Sequence, residues 1–290
     1  MTTQPAVTGV EDSFEKFLRL SVADGDARPR TVQAYRDAIR YYANWAGVVT
    51  VNPATAGHEQ ILAYREYLIA AGYARSTIRL RLTAVRLFYR ALARWGGRRD
   101  NPADGVRAPR QQENSVISRA VTPEAAKALL AQAGEGRDGA MVRLMLLHGL
   151  RAGEVSCLTD KHLSPGGDLL RVPGKGGKVR TLVLSYRCRR DLSGSGPGPL
   201  FPRRGGGTLS VRSIERAVNK ALVAVGAKEH GKSAHSLRHG FGILSAMGGA
   251  NVVAIGESLG HADLKTTGVY TRAAAAYLEN PSDAVERALK

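Results

Sequence analysis

Apolar residues recur every three or four positions through most of the chain, the spacing of helices that bury one face. The first clear stripe holds Val32, Tyr35, Ile39, Tyr42 and Trp45, with Thr31 placed after Pro29 to cap it and Gly47 to end it. A second occupies residues 58–71, where Ile61, Leu62, Leu68 and Ile69 share a face and Gly72 stops the helix. From a Ser76 cap, a third runs through Ile78, Leu82, Val85, Tyr89, Leu92 and Trp95. Arg79, Arg86, Arg90 and Arg94 fall beside that stripe and make a cationic face. Residues 1–10 are small or polar and without period, as expected of a disordered end. Residues 98–120 mix Asn-Pro, Ala-Pro, Gly and Gln, again without period, which predicts a linker and a domain boundary near residues 108–120.

The helical pattern resumes at Thr122-Pro123-Glu124, with a cap, a proline at the first helical position and an acid facing the helix dipole. Residues 137–150 form another apolar helix. The pattern then changes: Leu169-Leu170-Arg171-Val172-Pro173, a glycine-rich turn carrying Lys175, and the alternating run from Val179 to Leu184 predict a β-hairpin. Residues 191–207 are rich in Gly, Pro and Ser; Val211, Ile214, Val218 and Leu222 restore a helix, and short helices follow. Residues 272–278 predict an alanine-rich helix that Asn280-Pro281 interrupts. Beyond it Ala284, Val285, Ala288 and Leu289 share one side of a short last helix, a stripe too small to fold without another surface. The expected fold is mainly α with a small antiparallel β-sheet. Its parts are a disordered N-terminus (1–10), a helical domain (11–108), a linker (109–119) and a mixed α+β domain (120–290) that ends in a tail (279–290).

Length and composition sharpen this. A chain of 290 residues with 43% hydrophobic content supports two cores of ordinary size. The net charge of +17 points to a polyanionic partner. No apolar run approaches the ~20 residues of a spanning helix, and the start lacks the order of a secretory signal, so a cytoplasmic protein without membrane contact is expected. Cys157 and Cys188 form neither a CxxC nor a Cys/His cluster, which predicts no disulfide framework and no metal site. Between Tyr73 and Arg110 ten arginines face only Asp100 and Asp104, too uneven for mutual pairing and suited to phosphate contact.

Four patches in the second domain carry the candidate chemistry: Gly149-Leu150-Arg151-Ala152-Gly153-Glu154, Gly174-Lys175-Gly176, His235-Ser236-Leu237-Arg238-His239, and Leu259-Gly260-His261 with Val269-Tyr270-Thr271. Arg238 and His261 lie 23 positions apart, and His261 and Tyr270 nine. In order and spacing these patches resemble the tyrosine recombinases, the family of phage integrases, Xer proteins and Cre. The resemblance spans both domains: residues 11–108 look like the helical (SAM-like) core-binding domain and residues 120–290 like the catalytic domain.

The resemblance implies a site-specific recombinase that cuts and rejoins duplex DNA through a 3′-phosphotyrosine and a Holliday junction, with no cofactor. Tyr270 would be the nucleophile. Arg151 and Arg238 would clamp the phosphate, a task suited to a guanidinium because it donates two parallel hydrogen bonds at any working pH. Lys175 would protonate the departing 5′-oxygen, with Lys178 as its rival. His235 and His261 would donate hydrogen bonds to phosphate, and one of them would accept the tyrosine proton. Glu154 would orient the arginines or a histidine, while His239 is expected to be structural. The implied partners are double-stranded core-type DNA sites and three further copies of the chain in a synaptic homotetramer, with a directionality or host factor as an optional addition; the implied location is the nucleoid of a bacterial host. A reduced integrase without an arm-binding domain is the preferred reading. An Xer-type chromosome-dimer resolvase is the main alternative, ahead of a type IB topoisomerase or a non-catalytic DNA-binding protein.

Overall fold

The computed structural model describes residues 14, 18, 29–94, 98–109, 118–174, 177–229, 231–261, 263–275 and 277. The chain forms two compact units, Met1–Gln112 and Glu113–Lys290. In the first, α1 (Pro29–Val48) and α2 (His58–Ala70) both pack against α3 (Arg75–Arg94). Tyr42, Tyr64, Tyr89, Trp45, Ile61, Leu68, Ile78 and Leu82 fill the space between them, joined by Phe14 and Leu18. Buried tyrosine hydroxyls usually find partners, although that of Tyr64 has none among the described residues. Tyr42 and Tyr89 bond each other at 2.6 Å, and Tyr89 also reaches the Pro53 carbonyl at 2.9 Å.

Several local expectations need correcting. Helix α1 begins at Pro29, so Thr31 lies within it rather than capping it; proline has no N–H to lose in a first turn and its φ is already helical. Ser76 likewise sits inside α3, which begins at Arg75. On α2 the buried row is Ile61, Tyr64 and Leu68, while Ile69 is exposed; the spacing of three and four chooses Tyr64 over the more apolar isoleucine. Trp95 lies outside the described residues.

The second unit is built around α5 (Arg137–His148), which follows α4 (Pro123–Gln132) and is buried on nearly every side. Thr122 caps α4 by accepting from the Ala125 N–H. Around α5 lie the short α6 (Ala152–Ser156), α7 (Tyr186–Leu192), α8 (Val211–Ala224) and α9 (Ala234–Met247). Strands β1 (Leu169–Pro173) and β2 (Val179–Val183) pair antiparallel with Leu169 opposite Val183 and Pro173 opposite Val179. Helices α10 (Val252–Leu259) and α11 (Leu264–Ala274) pack on α9 and on each other, enclosing a smaller core of Ile243, Ile255, Leu259 and Tyr270. Helix α11 ends at Ala274, short of the expected continuation to residue 278. The tail 279–290 lies outside the described residues, as do residues 1–10 and most of the expected linker. Among the described residues no helix is long and apolar enough to cross a membrane.

Candidate active site

The site grows from the end of α5. Gly149 closes that helix in the left-handed region, with φ of 66°, and a Cβ there would meet Leu259 and Phe241 side-chain atoms at 2.6 Å. Only glycine satisfies both demands. The turn delivers Arg151 to the cap position of α6 and Glu154 into its first turn. Glu154 accepts from the Arg151 backbone N–H and from its Nη1, both at 2.8 Å. Its two oxygens also accept from Nη1 and Nη2 of Arg180 on β2, at 3.0 and 2.8 Å, while Arg180 Nε donates to the Ser258 carbonyl at 2.8 Å. Burial pushes the Glu154 carboxyl up, but hydrogen bonds from Arg180 and the Arg151 amide outweigh it and hold the group below the usual carboxylate range. Glu154 is therefore an anion shared by two arginines.

Helix α9 supplies the next group. Ser233 caps it, which places His235 in its first turn and Arg238 one turn further in. Arg238 is 1% exposed. Its Nη1 donates to the Gly149 carbonyl at 2.7 Å and its Nη2 to the Leu259 carbonyl at 2.5 Å, so it ties the end of α5 to the end of α10. Burial, then Arg151, lowers its guanidinium to about 10, which leaves it cationic at neutral pH. These two bonds use two of its five N–H groups.

Tyr270, on α11, is 3% exposed. Its ring rests on Gly242 of α9, where a Cβ would lie 2.6 to 2.8 Å from three ring atoms. The His261 ring stacks on it with centroids 6.1 Å apart, and His261 Nδ1 is fixed 2.9 Å from the buried Thr267 hydroxyl. The Tyr270 hydroxyl lies 3.1 Å from Nδ1 of His239. Burial raises the phenol above its ordinary value, and Arg238 and Arg151 pull in the opposite direction. Burial is also the first cause that lowers His239 and His261, each to about 4, with Arg238 among the charges that add to it. His235 is lowered too, by partial desolvation and then by Arg238, Arg151 and Arg119. The phenol is thus protonated and the three imidazoles neutral at pH 7.

Contacts and fields thus join Arg151, Glu154, Arg238, His261 and Tyr270, with His235 at the edge. Lys175 lies outside the described residues; Lys178, three positions on in the sequence, is exposed. Two members were missed from sequence. Arg180 shares a strand face with the buried Leu182, and a charge on an inward face signals a buried carboxylate partner. His239, expected to be structural, contacts the Tyr270 hydroxyl. Of the first unit's arginines, Arg79, Arg90 and Arg94 are exposed on α3, whereas Arg86 donates to the Val106 carbonyl at 2.8 Å and lies 4.0 Å from Asp104. Arg79, Arg86 and Arg107 line a groove of about 620 Å³. Among the described residues no His, Cys, Asp and Glu cluster is placed to hold a metal.

Comparison with known proteins completes the picture. Residues 119–276 match the phage integrase family, and residues 14–96 match the phage integrase N-terminal SAM-like domain. The chain is 33% identical over 258 residues to the tyrosine recombinase XerC of Pelobacter propionicus, covering 84% of each. It is 31% identical over 286 residues to XerD of Caulobacter vibrioides, covering 91% of this chain and 92% of that one. Its fold is similar to XerH recombinase bound to its difH substrate, with a TM-score of 0.69, 15% identity, and 99% and 97% of the two chains covered. It is similar also to a lambda integrase dimer bound to a COC′ core site, with a TM-score of 0.69, 16% identity, and 93% and 81% covered.

Proposed function

The chain belongs to the phage integrase family and is a tyrosine recombinase, an enzyme of DNA cleavage and rejoining, and we propose that Tyr270 is its nucleophile. The phenol oxygen attacks a backbone phosphate, forming a 3′-phosphotyrosine and releasing a 5′-hydroxyl. Attack by a partner strand's 5′-hydroxyl reverses the step, so the covalent bond stores the energy of ligation. Two such exchanges, through a Holliday junction, recombine two core-type duplex sites held by four copies of the chain. The observation that carries this reading is the network centred on Arg238, which ties the ends of α5 and α10 and acts with Arg151 on the Tyr270 phenol.

Charge builds on the non-bridging oxygens in the transition state, where preorganised donors are worth most. Arg151 and Arg238 fill that role, with His235 and His261 as further donors. Glu154 and Arg180 hold Arg151 in place. Lys175 protonates the leaving 5′-oxygen. Arg79, Arg90 and Arg94 contact the backbone of the duplex through the first unit, and Arg86 steadies the loop that follows α3. The setting is the DNA of a bacterial nucleoid. A directionality or host factor would act on the choice of sites rather than on the chemistry.

The test is a duplex nicked so that cleavage is trapped. Wild-type protein forms a covalent complex; Tyr270→Phe binds equally and forms none. Substantial cleavage by that variant sinks the assignment. A second reading, an Xer-type resolvase of chromosome dimers rather than an integrase, is favoured by relatives named XerC and XerD that align along 84–95% of this chain. Mapping the covalent joint on host DNA separates them: a fixed chromosomal site supports the resolvase, and the ends of a mobile element support the integrase.

A further inference from the structure

Three residues lie along one face of α9: His235, His239 and Gly242 at i, i+4 and i+7. Gly242 seats the Tyr270 ring, the Tyr270 hydroxyl then reaches His239 Nδ1 at 3.1 Å, and the His235 ring stands edge-on to His239 with centroids 4.5 Å apart. His239 is half-buried and His235 exposed. The face therefore leads from the phenol oxygen through one imidazole to a second at the surface. His261 presents its ring to Tyr270 in a stack, and its Nδ1 is engaged by Thr267.

We propose that His239, rather than His235 or His261, accepts the Tyr270 proton as the phenol oxygen attacks phosphorus. This deepens the reading of Tyr270 as nucleophile and rests on it. With its own proton on Nε2, His239 receives the phenol O–H at Nδ1 and becomes imidazolium. The Oη–P bond forms, the P–O5′ bond breaks, and the 5′-oxygen takes a proton from Lys175. In rejoining, Lys175 takes back the proton of the attacking 5′-hydroxyl and the proton on His239 returns to Tyr270. The groups acting on His239 are His235 and Arg238 from α9, Tyr270 from α11, His261 ahead of α11 and Arg119 ahead of α4. Burial, with the Arg238 and Arg119 guanidiniums, holds its basicity low, so the proton stays on the phenol in the free protein. A phosphodiester anion entering beside Arg151 and Arg238 offsets the cations, and the base gains strength only when DNA is bound.

The experiment uses the full chain, a nicked trapping duplex and the rate of covalent complex formation between pH 6 and 9. His239→Gln keeps an acceptor for the phenol but cannot take up the proton. It is expected to bind DNA normally, react ~10²- to 10⁴-fold slower at pH 7, the usual contribution of a general base, and accelerate with pH more steeply than wild type as hydroxide replaces the lost base. A fluorinated tyrosine at position 270, with a more acidic phenol, narrows the defect. A wild-type rate, a pH profile parallel to wild type, or a defect that the fluorinated residue does not narrow overturns the proposal. If the glutamine variant does not fold, His239→Ala with added imidazole reports the same step: recovery supports the role and its absence overturns it. Cleavage by Tyr270→Phe would sink the nucleophile reading itself, whereas inert Tyr270→Phe beside fully active His239→Gln would sink only the role of His239.

Discussion

Gly242 is where a single missing methyl decides the position of the nucleophile. Alanine would favour α9 by about 1 kcal/mol of helix propensity, while overpacking typically costs about 1–3 kcal/mol. The gain offsets only part of the cost, leaving about 0–2 kcal/mol, and the Tyr270 ring must move away from a Cβ built 2.6 Å from it. Gly242→Ala should therefore lower covalent complex formation at least tenfold, by about 1.4 kcal/mol or more in barrier, while urea unfolding shows the protein still folded with a loss of no more than about 2 kcal/mol; a wild-type rate of complex formation would refute this. The neutral histidines give a second prediction. His148, His239 and His261 have folded values of about 4, below the ordinary 6.5. Between those values the unfolded chain takes up protons that the folded one refuses, so stability falls as pH falls from about 6.5 towards 4, by up to about 1.4 kcal/mol per pH unit for each buried imidazole and by less for the more open His261. His239→Gln should make that slope shallower in urea titrations, and an unchanged slope would contradict the buried neutral state. Arg151, Arg238, His261 and Tyr270 were legible because their spacing is a pattern along the chain. The contacts of His239 and Arg180 were not, because both depend on which elements meet in space.

Elements followed their hydrophobic stripes closely, and apart from the face of α2, where Tyr64 replaced Ile69, the errors fell at helix ends. Thr31 and Ser76 have the right chemistry for caps, but a proline-led start and an arginine outside the apolar stripe extended α1 and α3 past them. Helix α5 posed a different problem: its nearly continuous apolar sequence marks burial but leaves Arg143 unexplained. The structure pairs Arg143 with Asp191 of α7 through Nε at 2.5 Å and Nη2 at 2.9 Å, and Arg143 Nη1 also donates to the Ala133 carbonyl at the end of α4. Both side chains are under 10% exposed. One ion pair thus fastens three helices. Removing only one partner strands a charge away from water, which costs about 3–5 kcal/mol, whereas replacing both by apolar groups costs far less. Asp191→Ala should therefore destabilise more than Arg143→Met with Asp191→Leu, as read by urea unfolding; the reverse order would show that the pair itself supplies net stability.

At the scale of the whole molecule, positive charge belongs to both units. Residues 1–112 hold 17 Lys and Arg against 10 Asp and Glu, and residues 113–290 hold 25 against 15, giving +7 and +10. A polyanion is thus attracted to each unit, which suits an enzyme of DNA cleavage and rejoining. Not every arginine is available for this. Arg81 lies over the Tyr41 and Tyr73 rings, with 3.4 and 4.0 Å to their centroids, and Arg98 holds Asp100 through two hydrogen bonds of 2.9 Å. Arg86 likewise serves the loop after α3. Arg79 and Arg90 project from α3 and offer a cleaner test. Each phosphate neutralised contributes about 0.9 to the slope of log affinity against log salt, because bound cations leave the duplex. Arg79→Gln with Arg90→Gln should therefore flatten that slope by roughly 1.8 and weaken binding alike on cognate and unrelated sequences, since backbone contacts carry no base information. Arg86→Gln should instead lower thermal stability, because it removes a donor from the Val106 carbonyl. Measured by titration between about 50 and 200 mM salt, an unchanged slope in the double variant would remove α3 from the DNA interface. A loss confined to one sequence would instead assign those arginines to base recognition.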